Sequence, residues 1–154
     1  MSQHTTEDLV KNLIALGLLD ATGRGHVGVL TETILASALT DGGGAVGTKQ
    51  FVGALPAGAY ILGTRVLVSA GFAGDVSATF TVGDGSDADR YNTGTPSCFA
   101  AAATGVDVGI PSGVKCLTAA NKPTVTVTSN ADITPVLAGG GSMAVSIYYI
   151  RTQD

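Results

Sequence analysis

The sequence predicts an antiparallel β-sandwich of jelly-roll type, preceded by a short helical N-terminal arm. Three observations predict it. Residues 48–154 hold about seven or eight short apolar runs, separated by Gly, Pro and Asp turns and free of helical periodicity. Several runs alternate cleanly, as where Val76, Ala78, Phe80 and Val82 interleave with Ser77, Thr79 and Thr81, which gives a strand one buried and one wetter face. Strand number and length match the paired four-stranded sheets of a jelly roll. An immunoglobulin-like sandwich is the alternative; it is disfavoured because the chain has no Trp and no suitably spaced cysteine pair to frame one.

The first 47 residues read as the arm. Thr5 or Thr6 offers a helix N-cap, with Glu7 and Asp8 in the first turn, where the helix dipole favours negative charge. Leu9, Leu13 and Leu16 share one face, Val10 and Ile14 widen it, and Gly17 stops the helix. So short a helix is marginal alone in water and must dock, on its own domain or on a neighbour. Residues 20–28 are rich in turn formers. Residues 29–39 read as a second short helix carrying Ile34, Leu35, Ala38 and Leu39, with an extended segment as the competing reading. The run 40–44, Thr-Asp-Gly-Gly-Gly, marks the domain boundary.

The sandwich domain, residues 48–154, opens with a strand near 49–55 and a Pro-Ala-Gly turn. A hairpin is expected next, with strands at 59–70 and 76–82 joined through Gly71, Gly74 and Asp75. Short strands are expected within 97–110 and at 114–117. Val125 and Val127 alternate with threonines in a clean strand. Residues 133–137 contain Pro135, which confines a strand to a sheet edge. The final run, 142–151, is strongly apolar and belongs in the centre of a sheet.

Composition excludes several function classes. Charged residues make up 13% of the 154-residue chain against 45% hydrophobic, so much of the surface is expected to face other protein, with a bland Thr- and Ser-rich exterior as the equal alternative. The net charge of −4 argues against nucleic acid as a partner, which calls for a basic face. No run is long and apolar enough to span a membrane, and no signal-peptide pattern opens the chain, so a cytoplasmic site of folding is expected. His4 and His26 are the only histidines and both lie in the arm, which leaves the sandwich without the base of a Ser-His-Asp or Cys-His arrangement. No enzyme and no cofactor are expected. Cys98 and Cys116 read as small half-buried thiols, with a disulfide as the alternative.

One stretch stands out, Gly83 to Tyr91 with the sequence GDGSDADRY. Asp84, Asp87 and Asp89 are clustered as Ca²⁺ ligands can be, but the spacing departs from an EF-hand loop. Arg90 supplies an internal counter-ion, and Asp and Gly are also plain turn formers. A structural turn, a Ca²⁺ site and a ligand contact therefore all remain open readings.

Together with the preceding strands, this loop resembles a segment of small structural proteins of tailed bacteriophages. In those proteins a Leu-Pro-x-Gly turn, here 55–58, precedes an apolar strand, a hairpin and Val-Gly-Asp-x-x-Asp-Ala-Asp-Arg-Tyr/Phe, here 82–91. The resemblance covers about a quarter of the chain and leaves out the arm. It implies a virion component, a capsid decoration (cement) or head-fibre protein, with a jelly-roll fold and a homo-oligomeric, commonly trimeric, state. The partner implied is the major capsid protein. Leu9, Leu13, Leu16, Ile34 and Leu35 are then the expected subunit or capsid contacts. A tail or head-fibre receptor-binding or carbohydrate-binding module is the alternative, weakened by the absence of Trp to stack on sugar rings.

Overall fold

The computed structural model describes Lys11, Ala15 and residues 27–99, 105–107 and 117–151. Two four-stranded antiparallel sheets form a β-sandwich. The strands are β1 (Val27–Leu35), β2 (Thr40–Asp41), β3 (Val46–Gln50), β4 (Ala59–Ala70), β5 (Ala78–Gly83), β6 (Gly105–Asp107), β7 (Thr124–Ser129) and β8 (Ser142–Arg151). One sheet has the order β1-β8-β4-β6 and the other β2-β3-β7-β5. Beyond β5 the isolated bridge Thr79–Ser97 extends the second sheet by one more contact. Three of the long-range pairings nest, β1 with β8, β3 with β7 and β4 with β6, while β4 also pairs with β8 and β5 with β7.

Period-two alternation builds the core. Phe80 and Val82 of β5, Val125 and Val127 of β7, and Met143, Val145 and Ile147 of β8 all point inward and are buried. In β4 the inward set changes parity, from Ala59 and Ile61 to Thr64, Val66 and Val68. A register shift between Ile61 and Gly63 is the cause: one extra residue in a bulge moves every later side chain to the other face. Phe51, Leu55, Phe72, Tyr91, Ile133 and Val136, from outside the strands, are buried in the same core.

Three expectations are corrected. Residues 29–39 are not a helix: residues 27–35 are strand β1, paired along its whole length with β8, and a 3-10 turn follows at Ala36–Ala38. Ile34, Ala36 and Leu39 lie in the core. The sandwich therefore takes in β1, β2 and the start of β3 ahead of the boundary expected at residue 47. Gly28 fits there because the Tyr149 ring lies where a Cβ would sit.

Nor do β4 and β5 form a hairpin. They belong to opposite sheets, and residues 71–77 cross between them. Asp75 anchors the crossing: Oδ1 accepts from Val76 N–H at 2.7 Å, and Oδ2 accepts from Asn130 N–H at 2.9 Å and Ala131 N–H at 3.2 Å. Gly74, at φ +105°, lies against the Pro135 carbonyl, where any side chain would collide with backbone.

The third correction concerns residues 133–137. The edge strand expected there is instead part of a short helix, α1 (Thr134–Gly139), with Pro135 in its first turn. That position suits proline, whose missing N–H would have no intrahelical partner. Asp132 Oδ1 accepts from Thr134 N–H at 2.8 Å. The clean strand around Val125 and the central position of the last strand are as expected.

Candidate functional site

The loop 83–91 closes the end of β5, and Asp84 is its hub. Its Oδ1 accepts from the Ser86 hydroxyl at 2.8 Å, Ser86 N–H at 2.9 Å and Asp87 N–H at 3.0 Å. Its Oδ2 accepts from Asn121 Nδ2 at 3.0 Å and lies 2.6 Å from Arg90 Nε. That Arg90 contact is a charge pair rather than an aligned hydrogen bond, since the Nε–H has no acceptor in line. Gly83 is required because the loop folds back onto it: a Cβ there would run into the backbone of Asp87 and Ala88.

Tyr91 ends the loop as the largest fully buried side chain. Its N–H donates to the Val82 carbonyl at 2.9 Å, its carbonyl accepts from Thr64 Oγ1 at 2.5 Å, and its hydroxyl donates to Asn121 Oδ1 at 2.8 Å. Asn121 also exchanges backbone hydrogen bonds with Leu55, at 2.8 and 2.9 Å. The two separated stretches singled out in the sequence, 55–58 and 82–91, therefore meet on one residue that no local pattern singles out. Next to it, Asn92 Oδ1 accepts from Val82 N–H at 2.7 Å.

This geometry makes the loop a structural lock. Asp87 and Asp89 are exposed and do not converge on Asp84; Asp87 Oδ1 instead faces Asp89 N–H at 3.4 Å. Among the described residues, no three His, Cys, Asp or Glu side chains form a group that could hold a metal ion. Within the loop, Asp84 and Asp87 accept from backbone N–H groups of the turn, and Arg90 lies against Asp84.

Of the expected contact residues, Ile34 is fully buried, so it serves the core and not a partner, while Leu35 is exposed. Leu9, Leu13 and Leu16 lie outside the described residues, as do His4, His26 and Cys116. Cys98 is a free thiol, fully rather than half buried.

Protonation follows from these surroundings. Burial alone would raise the Asp84 carboxyl, but the Ser86, Asn121 and Asp87 donors outweigh it and hold it below the ordinary value. Asp75 is lowered by Val76 N–H, with Ala131 and Asn130 adding to it against a smaller cost of burial, and Asp132 is lowered by Thr134. Burial pushes both the Tyr91 phenol and the Cys98 thiol up to about 12.

A carboxyl lowered by folding contributes stability above its unfolded pKa and loses it as pH falls. A raised thiol or phenol contributes below its unfolded pKa and loses it as pH rises. Urea midpoints should therefore hold through neutrality, fall below about pH 4, and fall again above about pH 9. Asp84→Asn should flatten part of the acid slope; an unchanged slope would show that Asp84 does not set it.

No family model matches the sequence, and no curated protein matches it. Among solved structures, the chain is similar to one from a cyanophage Pam1 capsid asymmetric unit, at 21% identity and a TM-score of 0.49, over 81% of this chain and 84% of that one.

Proposed function

We propose that this protein is a virion structural subunit that binds and stabilises the outer surface of a tailed-phage capsid, as a decoration or cement protein. The observation that carries the reading is the role of its most distinctive residues. The stretches that resemble phage structural proteins, 55–58 and 82–91, both hydrogen-bond Asn121, through Leu55, Asp84 and Tyr91. These bonds hold the shape of the loop. Outside these stretches the sandwich is poor in charge and carries uncovered apolar side chains, among them Val27, Val29 and Tyr60. Both features suit an assembly subunit better than an enzyme.

The nested strand pairing supports a jelly-roll reading of the fold. In this proposal the subunit is a homo-oligomer, a trimer by the resemblance, and its partner is the major capsid protein. Attachment runs through the arm, with Leu9, Leu13 and Leu16 as its apolar face, and many weak contacts summed over an oligomer resist pressure by avidity.

The test is the copy number of the chain in purified virions, relative to the major capsid protein, by quantitative peptide mass spectrometry. A ratio of order one, or a simple fraction of it, is expected. A few copies per particle would assign the chain to a tail or fibre instead.

A further inference from the structure

The outer face of the β1-β8-β4 sheet carries an apolar patch at one end. Cross-strand rows define it. Val27, Ile150 and Tyr60 form one row, and Val29 and Tyr148 with Gly63 form the next. Val27 is 59% exposed, Val29 53%, Tyr60 49% and Tyr148 37%, values unusual for adjacent large side chains on a sheet face. The third row, Thr31, Ser146 and Arg65, brings an exposed arginine whose cross-strand residue on β6 is Asp107.

We propose that in the free protein this patch is the seat of the chain's own N-terminal segment, residues 7–16. The chain enters the sheet at Val27, inside the patch, so the segment is tethered beside it at high effective concentration. Lys11 and Ala15 are helical and exposed; the helical spacing read from the sequence sets Leu9, Leu13 and Leu16 on the opposite side of such a helix.

Length agrees with this seat. From Glu7 to Leu16 a helix rises about 13.5 Å, and from the Val27 row to the Arg65 row the sheet runs about 13–14 Å. With Leu16 over Val27, Ile150 and Tyr60, the acidic turn of Glu7 and Asp8 falls over Arg65. Residues 17–26, rich in Gly and turn formers, allow the reversal. The inference concerns the unattached chain and does not rest on the virion role; attachment through the arm would begin with its release from this face.

The experiment places a photo-cross-linking p-benzoylphenylalanine at position 13 of the full chain, in protein assembled from mixed light and nitrogen-15-labelled copies. Cross-links within one isotopic chain to peptides holding Val29, Tyr60 or Tyr148 are expected. Val29→Asp, on the exposed face where it spares the core, should cut their yield about tenfold, the cost of losing roughly one buried aliphatic contact. Links confined to other segments overturn the proposal. So does a yield unchanged by Val29→Asp, and so do links joining light to heavy chains, which would give the patch to the arm of a second copy.

Discussion

Deleting residues 1–40 unfolds the sandwich, whereas deleting residues 1–26 leaves it folded; this is the expected result of a paired truncation. The longer deletion removes β1, which pairs with β8 from Val27–Ile150 to Leu35–Ser142. It also removes Ile34, Ala36 and Leu39 from the core. Fully burying Ile34 and Leu39 is worth about 1.5–3 kcal/mol each, before any loss of sheet hydrogen bonds is counted. Domain stabilities are only about 5–15 kcal/mol. β8 would in addition become an unprotected apolar edge, a template for aggregation. The shorter deletion stops short of β1 and touches none of this. Far-ultraviolet circular dichroism and gel filtration distinguish the outcomes, and a folded, monodisperse Δ1–40 protein would refute the assignment of β1 to the sheet.

Tyr91→Ala should be the most damaging single substitution in the loop. The side chain is fully buried, and large aromatic-to-alanine changes in cores cost about 3–5 kcal/mol. It also strips Asn121 Oδ1 of the phenol donor 2.8 Å away, and with it the alignment of Asn121 beneath Asp84. Tyr91→Phe isolates the second effect. It keeps the ring and should cost about 1–2 kcal/mol, that of one lost buried hydrogen bond and its orphaned acceptor. Urea unfolding of both variants, beside Asn121→Ala, measures the two terms. Equal losses for Phe and Ala would mean that the hydroxyl, not the packing, holds the loop.

The features legible in the chain alone are local ones. Strict alternation through Thr79, Phe80, Thr81 and Val82, and again around Val125 and Val127, announced strands with one buried face, because that period is a property of the extended backbone. The apolar run 142–151 announced a strand at the centre of a sheet; its inward set, Met143, Val145 and Ile147, is buried, while Tyr148 on the outer face is exposed. An Asp–Arg pairing inside the loop and the turn chemistry of 83–91 were legible too, since both lie within a few residues; that Asp84 is the aspartate involved was not. The helix at 134–139 had a readable signal in Asp132 followed by Pro135, but the apolar residues around that proline favoured a strand.

Strand partnership came from folding. A period of two says that β4 and β5 each have an inner face; it does not say that each finds its neighbours elsewhere, β4 in β6 and β8 and β5 in β7. Residues 27–35 carry apolar side chains on both faces, so neither period dominates. Their extended form is set by β8, more than a hundred residues away, as the Thr31–Ser146 hydroxyl contact at 2.8 Å illustrates. Asn121 looked like any loop residue until folding placed it among Leu55, Asp84 and Tyr91. Strand partners and buried polar junctions are fixed by long-range packing, and that information is spread over segments which carry no mark of one another in the chain.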